Sequence, residues 1–139
     1  MVFEEFCVES KKWIRIEIMK TSSKKEKGKR LQYWTCEKIS KLLNIPWGPD
    51  EQIASREMGQ PGCDVRLVAD AKDRFPWSVE CKNQEKWNIP AWIRQAKDNQ
   101  KPGTDWLLIC SRNRFDNIAI LDADCLFELL SRISGKKGR

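Results

Sequence analysis

The stretch "CDVRLVADAKDRFPWSVECK", Cys63 to Lys82, decides how this chain folds. It contains two runs of period-two alternation. In the first, Val65, Leu67 and Ala69 share one face, while Asp64, Arg66 and Val68 share the other. In the second, Trp77, Val79 and Cys81 alternate with Ser78, Glu80 and Lys82. The polar segment "DAKDRFP" between them ends in proline, so the pattern predicts a hairpin turning near Asp73. That register sets Asp64 opposite Lys82 and Arg66 opposite Glu80. Two carboxylates and an ammonium would then converge at one end of the strand pair.

Upstream, Lys29 to Leu43 reads as a helix, with Leu31, Thr35, Ile39 and Leu42 on one stripe. "NIPWGPD" ends it with asparagine, proline and glycine signals. Residues 50–62 read as a loop holding a short helix or strand. Downstream, Asn88 is a favourable N-cap with Pro90 in the first turn, and Ile89, Trp92, Ile93 and Ala96 form an apolar stripe. "WLLICS" and "NIAIL" read as strands, and "DADCLFELLSRI" as a terminal amphipathic helix opened by Asp122 or Asp124. The order α-β-β-α-β-β-α gives an α/β domain over residues 24–139 with a mixed central sheet flanked by helices. Residues 1–23, in which "WIRIEI" alternates like a strand, read as an N-terminal extension.

Composition removes several classes of function. At 139 residues, 40% hydrophobic and 33% charged, the chain suits one soluble domain rather than a disordered segment. No apolar run approaches the roughly 20 residues of a membrane helix, and "MVFEEFCVES" lacks the basic start of a secretory signal. The expectation is an intracellular protein without a membrane partner. The six cysteines form no C-x-x-C pair and the chain has no histidine, so zinc sites of the usual spacing are excluded. The thiols read as reduced and mostly buried. Without histidine, Ser-His and Cys-His nucleophiles are also excluded. Any catalysis falls to carboxylates, lysine and an oxygen-ligated metal. The net charge of +6 is concentrated in "KKEKGKR", "SRNR" and "GKKGR", which favours a polyanionic partner, nucleic acid first.

A lone E-x-K in a strand is usually a structural ion pair. An aspartate from the neighbouring strand changes that balance, because two adjacent carboxylates repel unless a cation lies between them. Aspartate, glutamate and a backbone carbonyl suit Mg²⁺ or Mn²⁺, which prefer hard oxygen ligands. A lysine beside them can orient a water and offset phosphate charge.

"PGCDV" (Pro61 to Val65) and "VECK" (Val79 to Lys82), in this element order, resemble the PD-(D/E)XK nuclease superfamily. "KGKRLQ" before the first helix and "ECKNQEKWNI" before the second are similar to phage Holliday-junction-resolvase-like endonucleases. They are more distantly similar to the archaeal resolvases. The resemblance covers residues 24–122 and implies a restriction-endonuclease-like core. It further implies that Asp64, Glu80 and the Cys81 backbone carbonyl hold Mg²⁺ or Mn²⁺, and that Lys82 positions the attacking water. Gln32 stands where archaeal resolvases carry a glutamate, and would be an outer-shell catalytic residue; on pattern alone it reads as a surface glutamine. Ser55, Arg56 and Gln84 would lie near the scissile phosphate, and Lys27, Lys29, Arg30, Arg112 and Arg114 would contact the DNA backbone. The implied activity is metal-dependent cleavage of branched or four-way DNA by a homodimer, leaving 5′-phosphate ends. The alternatives are a nuclease for linear DNA and a non-catalytic nucleic-acid-binding module with the same fold.

Overall fold

A computed structural model describes residues 2–7, 12–17, 24–57 and 59–135. Residues 136–139, with most of the C-terminal basic cluster, and residues 18–23 lie outside them. The elements are β1 (Val2–Cys7), β2 (Lys12–Glu17), α1 (Lys24–Leu43), β3 (Ile53–Ser55), β4 (Val65–Leu67), α2 (Ala69–Arg74), β5 (Trp77–Asn83), α3 (Ile89–Asp98), β6 (Asp105–Ser111), β7 (Ile118–Ile120) and α4 (Ala123–Ser134). This is a mixed α/β fold. Within the region read as an extension, β1 and β2 pair antiparallel, and β1 lies against α1.

The central sheet is mixed: β5 and β6 run parallel, and β7 joins β6 antiparallel. The chain connects β5 to β6 through α3, the crossover that parallel neighbours require. Alternation along the strands then divides the core. Val79, Cys81 and Ile109 face α1, where they pack with Leu31, Cys36 and Ile39. Leu108 and Cys110 face the other way, against Trp92 and Ala96 of α3. Leu108 is fully buried, and burying such a side chain contributes about 1.5–3 kcal/mol. A strand covered on both faces leaves little room for charge, yet Glu80 occupies its middle.

The expected hairpin between the two motif strands does not form as a ladder. β4 pairs instead with β3, Ser55 opposite Val65 and Ile53 opposite Leu67. Most of the segment read as a turn is helix α2. Ala69, Ala71, Lys72 and Arg74 suit a helix, Pro76 prevents its extension, and the Gln52 side chain accepts from the Ala71 amide at 2.9 Å. Asp64 still reaches β5, donating its amide to the Val79 carbonyl at 3.0 Å. It therefore meets Val79 to Cys81 rather than standing opposite Lys82.

Two further expectations are corrected. α1 begins at Lys24, so the lysine-glycine pair lies inside the helix, not before it. Lysine and glutamate are good helix formers, and one glycine costs only about 1 kcal/mol. Leu42, placed on the buried stripe, is 68% exposed, and Leu43 is buried in its stead. Leu42 lies instead on the wall of an open cavity with Phe75, Trp77 and Leu129. The caps follow the sequence: Asn88 Oδ1 accepts from the Ala91 amide, and Asp122 Oδ1 from the amides of Asp124 and Cys125.

A candidate acidic active site at the end of strand β5

A cavity of about 220 Å³ opens where β5 ends beside the first turns of α1. Asp64, Glu80, Cys81, Lys82, Gln32 and Gln84 all line it. These are the residues singled out from the sequence as the reacting centre, with the glutamine that follows it. The tertiary structure thus gathers them although the strand pairing differs from expectation.

Glu80 is the least exposed charged residue of the site, at 1%. Its Oε2 accepts from Asn99 Nδ2 at 2.6 Å, and Asp64 Oδ2 accepts from the Cys81 amide at 2.7 Å. Burial, followed by the nearby Asp64 charge, pushes the Glu80 carboxyl up to about 7. The Asn99 hydrogen bond and the Lys82 ammonium oppose that rise without cancelling it. The two carboxyls lie close enough to share a hydrogen bond when Glu80 is protonated. Such a pair is held together by the fold, not by its own attraction.

Among the described residues, no group of three or more histidine, cysteine, aspartate or glutamate side chains could hold a metal. Two carboxylates and a strand-end carbonyl are a different donor set. They suit a hard divalent cation that keeps waters and takes further oxygens from a substrate, as Mg²⁺ and Mn²⁺ do. The repulsion within the pair is what such a cation would relieve, so the residues fit it. Among the described residues, Cys36, Cys63, Cys81 and Cys110 are free and buried, and burial pushes the Cys36 and Cys81 thiols well above their ordinary value.

Gln32 is buried rather than on the surface, and its Oε1 accepts from Ser55 Oγ at 2.5 Å. Ser55 is thereby tied to α1 beside the cavity. Arg56 donates through Nε to the Cys63 carbonyl, in the turn that delivers Asp64, and its guanidinium packs where Gly62 (φ +102°) has no Cβ. Lys29 donates to the Arg56 carbonyl at 3.2 Å. Lys29, Ser55, Arg56 and Arg66 line a second cavity of about 560 Å³, which shares Glu57 and Gln60 with the acidic one. Lys27 pairs with Glu85 at 3.6 Å. Arg30, Arg112 and Arg114 line a third cavity, beyond Asn83. The basic residues therefore flank the acidic cavity on both sides.

Sequence reasoning missed Asn99, which follows α3 and hydrogen-bonds both Glu80 and the residue before Asp64. Its side chain donates to Glu80, and its carbonyl accepts from Cys63 Sγ at 3.1 Å, next to Asp64. Only its place as a helix-ending residue was visible. Glu57 and Gln95 on the cavity wall carried no signal either.

No known protein family, curated protein or solved structure matches the chain. Among the described residues, no helix is long and apolar enough to cross a membrane.

Proposed function

We propose that this protein is a metal-dependent endodeoxyribonuclease of the restriction-endonuclease-like type. The observation that carries the reading is Glu80: a buried carboxylate pressed against Asp64, with Lys82 lining the same cavity at the strand end. A structural network would pair the two acids with basic side chains, and among the described residues neither Asp64 nor Glu80 forms an ion pair within 4.0 Å.

Asp64, Glu80 and the Cys81 backbone carbonyl would hold the divalent ion. When bound, it would supply Lewis-acid polarisation of a phosphodiester and lower the pKa of water nearby. Lys82 holds the attacking water in line with the scissile bond and offsets charge on the phosphate. Oxygen–phosphorus bond formation with loss of the P–O3′ bond leaves a 5′-phosphate and a 3′-hydroxyl, the proton passing to O3′. Gln32, fixed by Ser55, orients groups at the cavity floor. The flanking Lys29, Arg56, Arg112 and Arg114 hold the strand on either side. The substrate is branched DNA, a four-way junction above all, and two symmetric cuts call for a homodimer.

The test incubates wild type and Asp64→Asn with a labelled four-way junction and a linear duplex in Mg²⁺. Cleavage by wild type, lost with chelator and with Asp64→Asn, is expected. No cleavage of junction, duplex or single strand by wild type removes the reading. Equal cutting of the linear duplex removes the junction preference alone.

A further inference from the structure

We infer that the cavity beyond Asn83 is a subsite for a single unstacked nucleotide of the DNA, an inference that rests on the nuclease reading for its role. This cavity, of about 500 Å³, lies between α1, the ends of β5 and β6, and the loop over residues 112–117. Its size falls within the roughly 300–1,000 Å³ of small-ligand sites. It meets the acidic cavity at Asn83, which lines both.

Three features set the chemistry of its occupant. The first is Arg30, whose Nε is buried and meets no hydrogen-bond partner among the described residues. Buried donors of a charged group are costly to leave unpaired, so this one points to an acceptor brought by a ligand. Arg112 and Arg114 line the same cavity against one acid, Asp116, so the wall carries an excess of positive charge suited to a phosphate. The second is an aromatic surface. Phe115 is 45% exposed, although it meets the Trp87 ring edge-on at 5.3 Å. The Arg112 guanidinium lies 4.5 Å from the Phe115 ring centre and 5.3 Å from that of Trp87. An exposed ring beside stacked guanidinium is the surface on which an unpaired base stacks, whatever its identity.

The third feature is that the loop is held in place. Trp87 Nε1 donates to the Ser111 carbonyl at 3.2 Å, and the Asn113 amide donates to Glu85 Oε2 at 2.8 Å. Glu85 in turn pairs with Lys27 of α1. Arg114 adopts the left-handed backbone (φ +56°), a conformation that costs free energy for a residue with a Cβ. Bases within a duplex already stack on each other and cannot use such a ring. A base at a branch point, bulge or flap can. The subsite therefore selects DNA with an unpaired nucleotide next to the bond in the acidic cavity.

The test measures binding in EDTA, by anisotropy, of three labelled duplexes: fully paired, with one unpaired nucleotide, and with an abasic residue at that unpaired position. Stacking predicts about tenfold tighter binding of the unpaired nucleotide than of its abasic counterpart. Phe115→Ala closes that ratio to one, and Phe115→Tyr restores it. Arg30→Gln weakens binding of both bulged duplexes together, as loss of a phosphate contact should. Equal affinity of wild type for the bulged and abasic duplexes overturns the subsite, as does an unchanged ratio in Phe115→Ala. Cleavage in Mg²⁺ is scored separately. A base-dependent ratio without cleavage keeps the subsite and removes the nuclease reading; cleavage without the ratio does the reverse.

Discussion

At the scale of the residue, Glu80 is where stability and function oppose each other. Its folded pKa of about 7 lies above the ordinary 4.5. The folded state therefore holds a proton that the unfolded chain has released between those values, and stability falls as pH rises across that window. The loss is on the order of 3 kcal/mol. It is complete above the folded pKa and absent below the unfolded one. Glu80→Gln keeps an acceptor for Asn99 and removes the repulsion with Asp64. In metal-free buffer it should melt about 5 °C or more above wild type at pH 8 and close to wild type at pH 4, measured by calorimetry. The same variant should lose cleavage. Mg²⁺ should raise the melting temperature of wild type at pH 8 and leave that of Glu80→Gln nearly unchanged. Equal melting of the two proteins at pH 8 would mean that Asp64 and Glu80 do not repel. Lys82→Met should slow cleavage by about 10²–10⁴-fold while DNA affinity in EDTA changes little, because its work is done on the water.

At the scale of the element, the C-terminal end of α3 holds Glu80, while β5 holds Asp64. Asn99 lowers the Glu80 pKa through its hydrogen bond, so Asn99→Ala should raise it further. In metal-free buffer the pH window over which stability falls should then extend to higher pH in Asn99→Ala, read by calorimetry as a function of pH. A purely structural role would lower the melting temperature equally at all pH values. How much of this was legible follows from the same elements. Alternation identified β5 and placed Glu80 and Lys82 on its face; the apolar stripe and Asn88 identified α3. Asp64 was matched to that strand end through a hairpin that does not exist. β4 prefers β3, and the Gln52 side chain caps a helix where the turn was expected. Both depend on a partner distant in sequence, which no local pattern displays. Asn99 was hidden for the same reason: its meaning lies in what it touches across nineteen positions. Gln32 read as a surface residue because helix periodicity records apolar positions, whereas its burial is set by Ser55 and the cavity beyond.

At the scale of the whole molecule, the distribution of apolar surface bears on the number of copies that act together. α4 has no fully buried residue, and Leu126, Leu130 and Ile133 recur at i, i+4 and i+7 on its exposed side. Phe127 and Ile133 are 67% and 79% exposed, more apolar surface than a helix covering one sheet edge presents to water. A four-way junction has two symmetry-related strands to cut, and the described residues of one chain carry one Asp64–Glu80 pair. In the proposed homodimer, a second copy docked on this face would supply the other site and cover the helix by the same patch on both subunits. Ile133→Glu introduces a charge at a site where the isolated chain loses no packing, so its melting temperature in dilute solution should stay within about 0.5 kcal/mol equivalent of wild type. In sedimentation at micromolar concentration, wild type should run as a dimer and Ile133→Glu as a monomer. The monomer should still nick one junction strand but lose the paired second cut within the lifetime of the complex. A wild type that sediments as a monomer under these conditions removes the homodimer. If it still cuts both strands in one encounter, the junction must be resolved by a single site acting twice.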